Sequence, residues 1–322
     1  MTNTLTPGRW RGLKSTSTAN NVFTILAFDQ RGSYRKMLPE GTSYADAVKI
    51  KSEVVIALTQ MTSAVLLDNY YGLYPALHMR GGAGLLMALE ESGYSGDSTY
   101  RGVIFNDAWT VAKIKQMGAT AVKLLAYYHP HAGALTEEIE GVITSVIEDC
   151  HKHDLPLFVE PMSYSLDANV KKDSAAFAET RPAVVRDTAK RLSALGPDVL
   201  KLEFPMDAAF NDDRDGWRSA CEAISEVSTV PWVLLSAGVE YETFLAQAQI
   251  ACQAGASGWL AGRAIWKECA KMSQDERARF LAGAASNRTK ELVDVANESA
   301  RPWTDFYTPI EASEDWYKAY KA

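Results

Sequence analysis

Eight short apolar runs recur along the chain, and each is followed by a segment with helical periodicity. A representative run is Val22–Phe28, which ends in the polar or flexible residues Asp29-Gln30-Arg31-Gly32. Continuous apolar runs are typical of strands that are buried on both faces, as in parallel sheets covered by helices. The predicted strands are Val22–Phe28, Ser63–Asp68, Gly84–Glu90, Ala121–Tyr128, Pro156–Pro161, Pro197–Pro205, Pro231–Leu235 and Gly258–Arg263.

The segments between these runs carry apolar residues at helical spacing. Ser43 and Asp46 have the spacing of a capping box, which predicts the start of a helix. Pro182 is predicted to lie in the first turn of a later helix, and His78 in a loop. Beyond Asp275 we expect two further helices and an irregular, aromatic end.

A strand followed by a helix, repeated eight times, is the pattern of a (β/α)8 TIM barrel, an α/β fold. We expect a single domain over residues 1–322, with a polar lead over 1–20 and a helical or irregular extension over 275–322. A doubly wound open sheet has similar periodicity, but it would place a G-x-G-x-x-G turn where this chain has Asp29-Gln30-Arg31-Gly32. The barrel is therefore the predicted fold.

Composition and charge narrow the function classes. The 322 residues are 47% hydrophobic and carry a net charge of −7, which gives no support for binding to nucleic acid or to an anionic membrane. The N-terminus lacks the apolar run of a signal peptide, and no stretch has the length of a transmembrane helix. The four cysteines are scattered without CxxC spacing, so we expect core thiols in a reducing compartment and a cytoplasmic protein.

Two of the apolar runs carry a lysine in their interior, Lys123 and Lys201. A buried ammonium is costly unless it is paired or neutralised, so each lysine forms a salt bridge or is held as a reactive amine. In a barrel the C-terminal ends of all the strands converge on one mouth. The polar and small residues at these ends are Asp29, Gln30, Arg31, Asp68, Glu90, Lys123, Glu160, Lys201, Glu203, Ser236, Gly238, Gly262 and Arg263.

Two lysines and several carboxylates at one mouth favour carbonyl chemistry. A neighbouring cation and desolvation both lower the pKa of an amine, which exposes its nucleophilic form near neutral pH. The ends of the seventh and eighth strands add Ser236, Gly238, Gly262 and Arg263, a set suited to binding phosphate. The alternative is that the glycines only form turns and that Arg263 pairs with a local carboxylate.

Histidine pairs raise the possibility of a metal site. His129 and His131 follow the fourth strand, but His151 and His153 approach the fifth strand from the opposite end of the barrel. A catalytic zinc site needs three ligands at one mouth, so no metal and no cofactor is expected.

The strand-end motifs resemble those of the class I tagatose-1,6-bisphosphate aldolases and the related sulfofructose-phosphate aldolases. The resemblance runs from about residue 20 to residue 270, with one motif per strand in six strands. The motifs are Leu26-Ala27-Phe28-Asp29-Gln30-Arg31-Gly32, Val122-Lys123-Leu124-Leu125, Val159-Glu160-Pro161, Asp198-Val199-Leu200-Lys201-Leu202-Glu203, Leu235-Ser236-Ala237-Gly238-Val239 and Ala261-Gly262-Arg263-Ala264.

The resemblance implies a metal-free lyase that cleaves a ketose phosphate to dihydroxyacetone phosphate and an aldehyde. Lys201 matches the family's Schiff-base lysine and Glu160 its acid/base carboxylate, while Lys123 and Asp29 match a supporting polar pair. The residues that match the dihydroxyacetone-phosphate end are Ser236, Gly238, Gly262 and Arg263, and those near the aldehyde half are Gln30 and Arg31.

The group at the aldehyde end stays open between phosphate, sulfonate and a neutral terminus. Glu160-Pro161-Met162 is similar to the sulfosugar enzymes, whereas Leu89-Glu90-Glu91-Ser92-Gly93-Tyr94 is similar to the tagatose enzymes. The first hypothesis is a tagatose 1,6-bisphosphate aldolase, and the second is a sulfofructose 1-phosphate aldolase. The remaining alternatives are a metal-dependent barrel lyase or isomerase and a sugar-phosphate sensor without activity. The aromatic C-terminal residues are expected to pack on their own barrel, and the alternative is that they pack on a neighbouring subunit of a homo-oligomer; they are Trp303, Phe306, Tyr307, Trp316, Tyr317 and Tyr320.

Overall fold

Eight parallel strands close into a barrel in the computed structural model, which describes residues 3–320. Each strand pairs with the next, and β1 closes the barrel by pairing with β8, with Phe23 opposite Gly258. The strands are β1 Phe23–Phe28, β2 Ala64–Leu67, β3 Gly84–Ala88, β4 Ala121–Tyr127, β5 Leu157–Met162, β6 Val199–Leu202, β7 Trp232–Leu235 and β8 Gly258–Ala261. The predicted TIM barrel is confirmed; seven strands lie within the predicted runs, and β5 extends one residue beyond its run, to Met162.

Helices surround the barrel and cover the outer face of the strands. The helices are α1 Pro7–Thr16, α2 Gly32–Met37, α3 Tyr44–Leu58, α4 Leu73–His78, α5 Val111–Gln116, α6 Ala134–Lys152, α7 Ala175–Ser193, α8 Arg214–Val227, α9 Tyr241–Gln253, α10 Arg263–Trp266, α11 Gln274–Phe280, α12 Ser286–Ser299 and α13 Trp316–Ala319. Short 3-10 segments span Lys267–Lys271 and Trp303–Asp305, and a π-helical turn spans Leu281–Ala285.

Two local predictions were wrong, and one was confirmed. Pro182 lies in the interior of α7, which begins earlier because the Ser174 hydroxyl accepts a hydrogen bond from the backbone of Phe177 at its N-terminus. His78 ends α4 and does not lie in a loop. Ser43 caps α3 as predicted, by accepting from the Asp46 backbone N–H at 3.0 Å.

The alternation of side chains along the strands explains which residues enter the barrel. Ala121, Phe158 and Val199 belong to one cluster that fills the barrel interior, whereas their sequence neighbours pack outward against the helices. Because successive strand residues point to opposite faces, the residue two positions further along each strand also points inward. Those next residues are Lys123, Glu160 and Lys201.

Both ends of the chain seal the N-terminal mouth of the barrel. The strand Asn3–Leu5 pairs in parallel with the strand Tyr307–Pro309. Leu5, Trp303 and Tyr307 are buried in the same cluster as the barrel interior, and the Tyr307 hydroxyl donates to the Asp198 carbonyl at 2.8 Å. The first part of the aromatic C-terminal segment therefore packs on its own barrel.

A buried ion pair holds the end of β1 in place. Lys51 of α3 and Asp68 after β2 are both inaccessible to solvent and form an ion pair. The Lys51 ammonium also donates to the carbonyls of Phe28 at 2.8 Å and Gln30 at 3.2 Å, the residues on either side of Asp29. Lys51 therefore connects α3 and Asp68 to the backbone on both sides of Asp29.

We expect Lys51→Met to lower the free energy of unfolding by about 3–5 kcal/mol, because it leaves the buried Asp68 carboxylate without its cation. Lys49→Met, on the exposed side of the same helix, should change it by no more than about 0.5 kcal/mol. Urea denaturation of both variants measures this difference. Equal unfolding midpoints for the two variants would contradict the role assigned to the pair.

Candidate active site

A cavity of about 570 Å³ opens at the C-terminal ends of the strands. Its walls combine inward-facing strand residues with the first residues of the following loops, and Leu125, Leu235 and Leu260 provide its apolar part. The structure brings all ten predicted site residues to this cavity: Asp29, Gln30, Arg31, Lys123, Glu160, Lys201, Ser236, Gly238, Gly262 and Arg263.

Three carboxylates surround the ammonium group of Lys123. Its Nζ lies 2.7 Å from Asp29 Oδ2, 2.7 Å from Glu90 Oε1 and 3.1 Å from Glu160 Oε2. These carboxylates come from the ends of β1 and β3 and from β5. The Lys123 side chain is therefore fixed at the centre of the site by ion pairs to three different strand ends.

Burial and neighbouring charges shift the pKa values of Lys123, Asp29 and Glu90. Burial alone would lower the pKa of Lys123, but the three carboxylates outweigh it and hold that pKa well above its usual value. Burial would likewise raise the pKa of Asp29, yet Lys123 and Lys201 hold it below its usual value. Glu90 differs, because burial outweighs the attraction of Lys123 and raises the pKa of its carboxyl. The carboxylates thus favour the charged form of Lys123.

Lys201 lies beside Glu160 on the next strand. Its Nζ is 2.8 Å from Glu160 Oε2, and only 3% of the residue is exposed. Glu160 Oε2 therefore contacts both lysines, but among the described residues neither contact has the alignment of a hydrogen bond. This buried oxygen remains able to accept a hydrogen bond or a proton from a bound molecule.

The six most buried ionisable groups of the cluster sum to zero charge when all are ionised, and the more exposed Glu91, 3.4 Å from Arg31, adds one negative charge at its edge. A proton that moves from one member to another leaves this sum unchanged, so proton transfer within the cluster avoids the cost of creating a net charge in a buried site. The three carboxylates are Asp29, Glu90 and Glu160, and the three cations are Arg31, Lys123 and Lys201.

The loops after β7 and β8 form one side of the cavity. The Gly262 backbone N–H donates to the Ser236 hydroxyl at 3.2 Å, which joins the two loops. Gly238 has a φ of +82°, and a Cβ there would lie 2.9 Å from the Arg263 guanidinium carbon. Within residues 3–320, Arg263 makes no ion pair, and it donates to the Ala237 carbonyl at 3.4 Å. The geometry therefore leaves a guanidinium charge available to an anion.

Gln30 and Arg31 line the cavity beside the loop after β3. Arg31 donates to the Glu90 carbonyl at 2.7 Å and lies 3.4 Å from the Glu91 carboxylate. Gln30 donates to Asp29 at 3.3 Å. Gln30 Oε1 and Arg31 Nε are buried without a hydrogen-bond partner among the described residues, as expected of groups that serve a bound molecule.

Two residues with predicted strand-end positions do not line this cavity. Asp68 is occupied by Lys51 and by the backbone N–H groups of Tyr70 and Tyr71. Glu203 pairs with Lys172 at 2.6 Å, on the side facing the helices.

Sequence reasoning did not assign a site role to several residues that line the cavity. Glu90 was noted only as a strand-end carboxylate, although its side chain contacts Lys123 directly. Ser33 and Lys36 of α2 reach the mouth and are exposed. Lys36 could have been identified from the sequence, because it lies one helical turn beyond Ser33. Ser33 directly follows the Asp29-Gln30-Arg31-Gly32 motif.

His151 and His153 lie at the end of the barrel opposite the cavity, as expected. His151 and His153 end α6, and His151 lies 3.4 Å from Asp198 at the closed end of the barrel. Burial, with a smaller effect of His131, lowers the pKa of His129 to about 4. Within residues 3–320, no group of three His, Cys, Asp or Glu side chains has an arrangement suited to a metal ion. In that same part of the chain, every helix is too short or too polar to cross a lipid bilayer.

Residues 23–268 match the sequence profile of the DeoC/LacD family aldolases. The chain belongs to this family. A tagatose 1,6-diphosphate aldolase from Listeria monocytogenes serotype 4a is 34% identical over 95% of this chain and 97% of that protein. One from Lactococcus lactis subsp. lactis is 31% identical over 94% of this chain and 99% of that protein. This DeoC/LacD aldolase is accordingly a lyase, and the resemblance seen in the strand-end motifs is confirmed.

Solved structures share the fold of this DeoC/LacD aldolase. A fructose-bisphosphate aldolase from Slackia heliotrinireducens superimposes with a TM-score of 0.64 at 16% identity, covering 89% of each chain. A Schiff-base-forming fructose-1,6-bisphosphate aldolase has a TM-score of 0.59 at 18% identity, covering 86% of this chain and 98% of the other.

We expect Glu90→Gln to lower kcat at neutral pH by about ten-fold or more, because the amide removes one of the charges that fix Lys123. Since the pKa of Glu90 is raised, its carboxylate takes up a proton at a higher pH than an exposed glutamate does. The wild-type rate should therefore fall on the acid side as Glu90 is protonated, and the variant should show less of this fall.

Glu91→Gln is the matched control for this measurement, since Glu91 contacts Arg31 but not Lys123. The pH dependence of kcat for aldol cleavage is compared between the two variants. A Glu90→Gln enzyme with the wild-type rate and the wild-type pH profile would contradict a role for Glu90 in fixing Lys123.

Proposed function

We propose that this aldolase cleaves tagatose 1,6-bisphosphate to dihydroxyacetone phosphate and an aldehyde phosphate through a Schiff base on Lys201. The observation that carries the proposal is the pair formed by Lys201 and Glu160 in the cavity. A buried amine lies 2.8 Å from a carboxylate oxygen that has no aligned hydrogen-bond partner among the described residues. Nucleophilic amine catalysis requires such an amine next to a group that can take and return its protons.

The first half of the reaction forms the iminium ion. A proton moves from Lys201 to Glu160, which produces the neutral amine without changing the charge of the cluster. The amine adds to the C2 carbonyl of the ketose, and the carbonyl oxygen becomes the hydroxyl of a carbinolamine as the nitrogen loses its proton. Glu160 then protonates this hydroxyl, which leaves as water, and a C=N⁺ bond remains.

The second half breaks the carbon–carbon bond. The Glu160 carboxylate takes the proton of the C4 hydroxyl, the C3–C4 bond breaks, and its electron pair moves onto the iminium nitrogen to give an enamine. The aldehyde leaves, the Glu160 carboxyl returns its proton to C3, and water hydrolyses the resulting iminium to release dihydroxyacetone phosphate and Lys201. In this scheme Lys123 orients the substrate oxygens, and Asp29 balances its charge.

The two ends of the cavity suit a bisphosphate. The 1-phosphate would bind at the loops after β7 and β8, where Arg263 is joined by Ser236 and by the two glycines. The far phosphate would bind near Gln30, Arg31 and Lys36. Among the described residues Lys36 forms no ion pair, so its charge is available to an anion at the mouth.

A second candidate substrate is sulfofructose 1-phosphate. The observation in its favour is the Glu160-Pro161-Met162 motif, which is similar to the sulfosugar enzymes. Its Met162 lies on β5 and lines the cavity. Turnover of the two substrates by the purified enzyme separates the candidates, since they differ in the group at the far end and in the configuration at C4. The proposal includes a cytoplasmic location, because all four cysteines are buried, unpaired thiols.

Borohydride treatment in the presence of dihydroxyacetone phosphate tests the Schiff base. Mass spectrometry of the wild-type enzyme should find one reduced dihydroxyacetone phosphate attached to Lys201, because borohydride reduces the iminium to a stable amine. Lys201→Met should lose the adduct and cleavage activity while its circular dichroism is retained. An adduct on Lys123, or a wild-type enzyme that binds the ligand without any adduct, would contradict the mechanism.

Arg263→Ala tests the 1-phosphate end. Trapping with dihydroxyacetone phosphate should require roughly ten- to a hundred-fold more ligand, because a hydrogen bond to a charged group is worth about 1.5–3 kcal/mol. Trapping with unphosphorylated dihydroxyacetone should be unchanged. Lys267→Ala is the control, since Lys267 pairs with Glu240 and does not line the cavity. Equal losses for the two ligands in Arg263→Ala would contradict phosphate binding here.

A further inference from the structure

A group of aromatic and aliphatic side chains is exposed on one side of the barrel, around α4. It comprises residues of α4, of the loop after β2 and of the first turn of α3, and we name it the α4 surface. More than half of each side chain is accessible: Tyr44 53%, Tyr70 59%, Leu73 60%, Tyr74 51% and Leu77 71%.

Internal contacts hold the tyrosines of the α4 surface. The rings of Tyr44 and Tyr70 lie 5.4 Å apart edge to face, and the Tyr44 hydroxyl donates to the Tyr70 carbonyl at 2.8 Å. Tyr74 stacks on His78 at 3.9 Å. Leu73 and Leu77 are one helical turn apart and so project from the same side of α4. The three tyrosines are therefore restrained by these contacts before any partner binds, which lowers the entropy cost of burying them.

The exposed area matches what a pair of protein surfaces requires. With about 200 Å² for a fully exposed tyrosine or leucine side chain, the five side chains present on the order of 600 Å². That is at the upper end for an apolar patch on a monomer, about 300–600 Å². Two such surfaces in contact would bury about 1,200 Å², the lower limit of a stable interface before its polar rim is counted.

The charges beside the α4 surface favour a second copy of this chain over a membrane. Asp46 and Lys49 are both exposed on the first turns of α3, next to Tyr44. A two-fold axis perpendicular to α3 places the two copies of this helix antiparallel, so Asp46 of one copy can face Lys49 of the other. A lipid-binding surface would instead be rich in cations, and the chain as a whole carries a net charge of −7.

We propose that two copies of this chain form a two-fold symmetric dimer through the α4 surface. Each copy would insert Leu73 and Leu77 against the tyrosines of the other. The contact buries side chains that water otherwise covers, and the Tyr44 hydroxyl keeps its hydrogen bond to the Tyr70 carbonyl.

The dimer contact would also support the substrate cavity. Asn69 lies in the loop that carries Tyr70, and its carboxamide oxygen accepts from Arg31 at 3.3 Å. The Asp68 carboxylate accepts from the Tyr70 N–H at 2.9 Å and pairs with Lys51. Covering Tyr70 therefore restrains the loop that orients Arg31. This consequence, unlike the dimer itself, rests on the proposed function of Arg31 at the far end of the substrate.

Light scattering after size-exclusion chromatography tests the dimer. Wild-type protein should have twice the mass of one chain, and Leu77→Asp should have the mass of one chain with unchanged circular dichroism. Phe210→Asp is the matched control, because Phe210 is 49% exposed but lies outside the α4 surface. It should remain a dimer. Leu73→Lys provides a second disruption of opposite charge, in case the aspartate perturbs α4.

The outcomes separate the dimer from the catalytic proposal, because mass does not depend on activity. A tetramer that Leu77→Asp reduces to dimers supports the α4 surface as one of two contacts. A monomeric wild type, or a Leu77→Asp protein with the wild-type mass, would overturn the proposal. A monomer that sediments with phosphatidylglycerol–phosphatidylcholine vesicles only when Leu77 is intact would assign the surface to lipid and would overturn it too.

Catalysis provides a separate readout of the support for Arg31. The monomeric variant should have a several-fold higher KM for the bisphosphate, while trapping of dihydroxyacetone phosphate on Lys201 stays at the wild-type level. An unchanged KM in a proven monomer would overturn the coupling. Loss of trapping in the wild-type dimer would instead count against the Schiff-base mechanism.

Discussion

The buried ammonium of Lys123 is the constraint on which the site depends. A cation inside a barrel is tolerated only if carboxylates replace the water it has lost. Three of them do so, at 2.7–3.1 Å, from Asp29, Glu90 and Glu160. Because these carboxylates belong to the ends of three strands, the requirement of one ion also fixes the relative positions of those ends. The group that carries the proposed proton transfers is thereby held by the same contacts that stabilise the charge.

The closed end of the barrel explains why the chemistry is confined to the other end. Leu5, Trp303 and Tyr307 fill the N-terminal mouth and continue the apolar interior. Above this layer the strands present Lys123 and Lys201, which are charged and paired with carboxylates. A substrate therefore enters only where the polar layer meets the loops. A low dielectric below the site strengthens every ion pair above it, which makes internal proton transfer preferable to a change of net charge.

Much of this arrangement follows from the sequence, because period-2 alternation is local. Once Ala121, Phe158 and Val199 are assigned to the interior, the inward direction of the residues two positions later is fixed. The direction of a carboxylate beyond a strand end depends instead on partners that lie elsewhere in the sequence. Asp68, Glu90 and Glu203 look alike in the sequence, but only Glu90 faces the cavity. The other two are taken by Lys51 and Lys172, lysines distant from them along the chain. Pro182 was misplaced because the cap at Ser174 was not recognised.

The distribution of charge around the cavity bears on how an anionic substrate is oriented. The central cluster is formally neutral, so it neither attracts nor repels a phosphate strongly. Arg263 and Lys36 lie at the cavity and have no carboxylate partner among the described residues. In the proposed function, the attraction for phosphate would therefore come from these two side chains at the edge of the cavity and not from its centre. Although the chain is negative overall, the field near the mouth is set by these closer charges, since more distant ones are screened over about 8 Å at physiological ionic strength. A ketose phosphate bound by its end would thus present its uncharged carbonyl carbon to Lys201.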